Sequence, residues 1–278
     1  MATPMGPEAW TEQQTTTTVT VDDHAVEMAA YEAGSGDPLV FLHGIPTWSY
    51  LWRGVAPAFE DDRRVIAPDM VGYGNSAMDD GFDRSIRAQE AAVLDLLDQR
   101  GVDSFDLVAH DVGGGVAQRI AAHTDRVDQL VLSNAVCFDA WPIELITNLG
   151  LPATIDSMSV QEVQTTLKGL FEEGLVDADE AFVEAMASRY ASDVGRISLA
   201  RNAIATNTNH TTEIDYDAID AETLLLWGEL DQFMPIEYAN RLEDRLENAV
   251  DVVGLEVPHW VPEDASEAFV EHLETFLE

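Results

Sequence analysis

Lysine is almost missing from this chain: Lys168 is the only one in 278 residues, and the other cationic side chains are all arginines. Cysteine is as scarce. Cys137 stands alone, which excludes an intrachain disulfide and leaves a structural thiol as its expected role. No apolar run is long enough to span a bilayer, and the opening MATPMGPEAWTEQQTTTT has no basic segment, no apolar core and no twin arginine. The expectation is a protein without signal peptide or membrane span that works in the cytoplasm.

Negative charge is what the chain has in excess. Asp and Glu number 52 against 14 Lys and Arg, for a formal net charge of −38. An apolar content of 46% separates it from acidic disordered chains, which lack the side chains to build a core. Such a surface excludes nucleic acid and anionic membrane as partners. In dilute buffer this density of like charge opposes compaction, whereas ~1 M salt shortens the Debye length to ~3 Å. The composition therefore predicts a salt-rich cytoplasm, as in haloarchaeal proteins, which it resembles.

Strand and helix signals alternate through the first half. TTTTVTV (15–21) and HAVEMAAYEA (24–33), joined at Asp22-Asp23, read as an antiparallel hairpin. PLVFLH, RRVIAP, FDLVAH and RVDQLVLSN are short apolar runs suited to strands buried on both faces. Between 138 and 212 the strand signals stop, and helix-period segments such as VQEVQTTLKGLFEEGLV take over. Strands return with ETLLLWG and AVDVVGLEV. The predicted architecture is an α/β fold with a mostly parallel, eight-stranded sheet flanked by helices. Its core comes in two parts, 1–137 and 213–278, around a helical cap insertion at 138–212.

Within this frame, LVAHDVGGGVAQ (107–118) is a strand, a small-residue turn and a helix. Ala109-His110-Asp111-Val112-Gly113 has the small-x-nucleophile-x-small pattern that exposes a reactive side chain at the end of a sheet. An aspartate before glycines can also be a simple helix N-cap. The acid and base expected later in the same chain order are present. Asp231 follows the strand ETLLLWG, and His259 lies in PHWVPEDA between the last strand and the last helix. FLHGIPT (41–47) offers the backbone N–H of Ile45 to pair with that of Val112 as an anion hole. His43 and His110 are expected to support turns, and Asp69 in DMVGYGNSA to be structural.

These motifs resemble the α/β-hydrolase superfamily, and within it the haloalkane dehalogenase and epoxide hydrolase branch. HGIPTWSYLWRGVAP, RVIAPDMVGYGNS and AHDVGGGVAQ carry the likeness. The resemblance implies an Asp111–His259–Asp231 triad, a covalent alkyl-enzyme ester, a small apolar halogenated or epoxide substrate, and neither metal nor organic cofactor. It also implies two side-chain N–H donors for a departing halide, at positions that here hold Val112 and Ile45. Trp141 is then the candidate donor. For an epoxide, the resemblance implies cap tyrosines, and Tyr190 is the one available. His210 and Trp260 complete the candidate pocket residues. The sequence thus predicts dehalogenation, with epoxide hydrolysis by the same triad as one alternative and a non-catalytic ligand-binding scaffold as another.

Overall fold

The computed structural model of the protein describes residues 4–207 and 209–278. Among them eight strands form one sheet in the order β1-β2-β4-β3-β5-β6-β7-β8. They are β1 (Gln14–Val21), β2 (His24–Gly34), β3 (Asp37–Leu42), β4 (Arg63–Pro68), β5 (Phe105–His110), β6 (Val127–Ser133), β7 (Glu222–Gly228) and β8 (Ala249–Leu255). β1 and β2 form the hairpin read from the sequence, turning through Asp22 and Asp23, both at positive φ. β2 runs antiparallel to β4, and every later pairing is parallel. The expected eight-stranded, mostly parallel α/β sheet is the one found.

Helices cover both faces: α1 (Pro7–Glu12), α2 (Ile86–Gln99), α3 (Val112–His123), α10 (Glu237–Glu243), α11 (Val261–Asp264) and α12 (Ser266–Leu277). Six more lie between β6 and β7: α4 (Glu144–Gly150), α5 (Pro152–Ser157), α6 (Val160–Gly174), α7 (Glu180–Ser188), α8 (Asp193–Ala205) and α9 (Asn209–Thr212). Their ends follow the sequence. Ser159 and Glu162 form a reciprocal capping box on α6, and Asp179 caps α7 through Ala181 and Phe182. No described helix is long and apolar enough to cross a membrane.

Strand order reverses between β3 and β5, so the loops leaving these two strands part to opposite sides. That crevice is where an open α/β sheet offers a site. β5 is buried along its whole length, and Asp111, the residue after it, is fully buried as well. α3 begins at Val112, so the three glycines lie inside it rather than before it. The reason is space: a Cβ on Gly113 would stand 2.4 Å from the His43 carbonyl oxygen.

Candidate active site

Asp111 follows β5 with φ 53° and ψ −124°, a conformation that costs a side-chain-bearing residue roughly 1–3 kcal/mol. The surrounding backbone holds it there. Asp111 N–H donates to the Ser133 carbonyl at 3.2 Å, and its own carbonyl accepts from Gly114 and Val136 at 2.9 Å each. The side chain does not cap α3. It turns instead toward the loop after β3, where Oδ1 accepts the Ile45 N–H at 2.7 Å. Gly44 makes that approach possible, because a Cβ there would stand 2.2 Å from the same oxygen. The Val112 N–H, next in the chain, also favours the ionised carboxylate.

The other oxygen, Oδ2, is buried without a hydrogen-bond partner. His259 Nε2 lies 3.7 Å from it, and His259 Nδ1 lies 2.7 Å from Asp231 Oδ2. The structure therefore brings together Asp111, His259, Asp231, Ile45 and Val112, from four separate stretches of chain. Burial pushes the Asp111 carboxyl up to about 6, against the pull of His259 and the two N–H groups. Burial also opposes a charged His259, but the Asp231 charge and hydrogen bond outweigh it and hold the imidazole above its ordinary value. Asp231 is held below the usual range, its burial offset by His259 and by backbone N–H groups of Phe233 and Met234. Two carboxylates of opposite tendency thus flank one histidine, an arrangement that sets up base chemistry.

Asn134 is a site residue that the sequence reading missed. It sits at the end of β6 with φ 41°, donates from Nδ2 to Asp231 Oδ2 at 2.5 Å and accepts the Gly228 N–H at 2.9 Å. An asparagine after a strand carries an ordinary turn signal, and nothing in its spacing points to residue 231. His43 does brace a turn, accepting the Met70 N–H at 3.0 Å. Asp69 is structural too, accepting from Ser49 and Asn75. His110 differs from expectation. Neither of its ring nitrogens has a partner, and its ring packs 4.7 Å from that of His259. Burial keeps it neutral, well below its ordinary pKa.

A narrow, nearly closed pocket with a cavity volume of about 10 Å³ lies beside His259, walled by Ile45, Trp141, Ile146, Phe233 and Trp260 among others. His259 is the one ionisable side chain on the wall. The indole N–H groups of Trp141 and Trp260 are both buried and unpartnered. Tyr190 is buried next to this wall, but its hydroxyl donates to the Pro46 carbonyl at 3.0 Å and so braces the loop. His210 is a correction. The short helix α9 rests on α3 through Thr211, whose methyl lies 3.3 Å from where a Gly115 Cβ would be. The His210 carbonyl accepts from Arg119 Nη1 at 3.0 Å, and His210 is not among the residues that wall the pocket. Among the described residues, no group of three or more His, Cys, Asp or Glu could hold a metal ion.

This geometry has relatives. A 2-hydroxy-6-oxo-2,4-heptadienoate hydrolase of Pseudomonas putida is 28% identical over 268 residues, 91% of this chain and 93% of that protein. Haloalkane dehalogenase 2 of Mycobacterium bovis is 28% identical over 250 residues, 84% of this chain and 85% of that one. The crystal structure of a haloalkane dehalogenase from Bradyrhizobium elkani superimposes with a TM-score of 0.81 at 21% identity, covering 95% of this chain and 97% of that one. Residues 37–266 match the sequence profile of the alpha/beta hydrolase fold, and the chain belongs to that family.

Proposed function

We propose that the protein is a hydrolase that uses the Asp111 carboxylate as its nucleophile and releases halide from a short, uncharged haloalkane. The observation that carries this reading is the asymmetry of that carboxylate: Oδ1 accepts the Ile45 N–H, while Oδ2 is buried without a hydrogen-bond partner, 3.7 Å from His259 Nε2. A carboxylate attacking an acyl group would form a mixed anhydride, a poor route. Attack on an sp³ carbon gives a stable ester.

In the first step Oδ2 forms a bond to carbon as the C–X bond breaks, and halide leaves with the electron pair. Oδ1 becomes the ester carbonyl oxygen, already placed in the hole. In the second step His259 takes a proton from water, whose oxygen attacks Cγ of Asp111. The tetrahedral oxyanion is held by the N–H groups of Ile45 and Val112. Collapse expels the alcohol, which takes the proton from the imidazolium, and the restored acid ionises above its pKa of about 6. The balance is R–X plus water to R–OH, halide and a proton.

The leaving group follows from the donors. Buried polar groups without a partner call for explanation, and the Trp141 N–H supports a ligand on that wall. Indole N–H groups stabilise an anion but do not give up a proton near neutrality. They suit halide, which departs unprotonated, over an alkoxide. Epoxide hydrolysis is the second reading, and Tyr73 favours it. This buried tyrosine packs its ring 5.2 Å from that of His43, in the loop that carries Ile45, and a hydroxyl can offer an alkoxide the proton that an indole does not.

The test is turnover of 1-bromobutane against styrene oxide in molar KCl, with butanol and diol as the measured products. We expect butanol formation, reduced roughly 100-fold in Trp141→Phe, the usual cost of losing one preorganised donor. Trp141→Phe at the wild-type rate would remove the assigned donor. Faster conversion of styrene oxide would move the protein to the second reading. Turnover of neither would leave a ligand-binding scaffold.

A further inference from the structure

The turn that follows His259 is fastened to the inserted helices. Its own backbone is tight: Val261 N–H donates to the His259 carbonyl at 2.9 Å, and Glu263 and Asp264 donate to that of Trp260 at 2.9 and 3.0 Å. Arg53, from the short helical segment Ser49–Gly54, grips this turn through Glu263. Its Nη2 lies 2.6 Å from Oε1 and its Nε 3.2 Å from Oε2. The same Nη2 reaches Asp179 Oδ2 at 3.0 Å, on the residue that caps α7. Arg53 is 5% exposed, and its guanidinium lies over the rings of Phe182 and Tyr50.

Two further contacts join the same pieces. Asp264 Oδ1 accepts the Val176 N–H at 2.9 Å. Gly174 lies so close to Trp260 that a Cβ there would stand 2.3 Å from the indole, with Phe171 packed 4.7 Å from that ring on centroids. Residues 171–182 of the insert and the 260–264 turn are thus held as one body, with Arg53 bonded to both. His259 is the residue that enters this body from β8.

We propose that Arg53 is a positioning residue for the base: through Glu263 and Asp179 it seats His259 only while the inserted helices are docked. This rests on the ester reading above, and the two can be separated because only the second step uses His259. Trp141 and Asp111 stand outside the clamped body, so alkylation persists when the clamp is loosened, while ester hydrolysis slows. Misplacing a reacting group by about 1 Å costs up to roughly 100-fold.

Arg53→Met and Arg53→Lys are compared with the wild type and with His259→Ala by intact-protein mass spectrometry during 1-bromobutane turnover in molar KCl. We expect Arg53→Met to lose roughly 10- to 100-fold in kcat and to accumulate the butyl-enzyme. Arg53→Lys, which keeps the charge, regains most of the rate and shows less adduct. Should Arg53→Met fail to fold, Glu263→Gln weakens the same bridge from the other side, and the same adduct is expected at smaller amplitude. Rate loss without adduct in these variants, with His259→Ala still trapped, overturns the clamp but spares the ester. No adduct in His259→Ala overturns both.

Discussion

Asp111→Asn leaves a folded protein with no measurable hydrolysis, a loss of roughly 10⁴-fold or more in kcat by analogy with nucleophile deletions in other triads. The amide oxygen of Asn can take the place of Oδ1 and accept the Ile45 N–H, so the hole keeps its partner. The amide nitrogen then faces His259 Nε2, which lies 3.7 Å from Oδ2, and nothing remains to attack carbon. Stability moves the other way. Burial lifts the carboxyl from 3.8 to about 6, so at neutral pH the folded state carries an ionised group that it disfavours relative to the unfolded chain. That cost is about 3 kcal/mol, present above the folded pKa and absent below the unfolded one. Removing the charge returns part of it. The expected outcome is an unchanged or higher Tm with turnover gone. Near-wild-type rates in a sample shown by mass to be free of deamidation would contradict the assignment.

A second large effect concerns salt. Transfer from molar KCl into 50 mM buffer unfolds the protein, read as loss of the native circular dichroism signal. Lys168 and all arginines but Arg84 and Arg189 already lie within 4.0 Å of a carboxylate among the described residues. The cations are therefore committed, and with 52 acids to 14 bases most carboxylates have no cationic side chain to pair with. Their repulsion is left to the solvent. It is short-ranged at ~1 M salt, where the Debye length is ~3 Å, and spreads over roughly 14 Å at 50 mM by the same scaling. Restoring NaCl refolds the chain, whereas an equal osmolarity of sucrose does so only in part. Native circular dichroism retained at low salt would show that the acidic surface needs no screening.

The parts of this molecule that were legible in its sequence are local or repeated. A period-two run, a buried apolar hexamer and a small-residue turn before a helix each act over a few residues, so the hairpin, β5 and the Asp111 turn could be read directly. Chain order then linked Asp111, Asp231 and His259. What escaped is geometry between distant segments. Asn134 reaches Asp231 across 97 positions and Arg53 reaches Glu263 across 210, and neither leaves a spacing signal. His210 was misplaced for the complementary reason. A histidine near the end of the insert looks available to a pocket, but a single-turn helix docked on α3 holds it beside Arg119, off the pocket wall. Tyr190 did come to the site, yet its hydroxyl was spent on a loop carbonyl that only the folded backbone presents.

The most direct measurement is a single turnover of 1-bromobutane with enzyme in excess, run in heavy-oxygen water. If Asp111 attacks carbon and water attacks its ester, the first butanol carries ordinary oxygen taken from the side chain. The peptide containing Asp111 then emerges one heavy oxygen richer. Heavy oxygen in the first butanol, with that peptide unlabelled, would mean that water reached the substrate directly and that Asp111 is not the nucleophile.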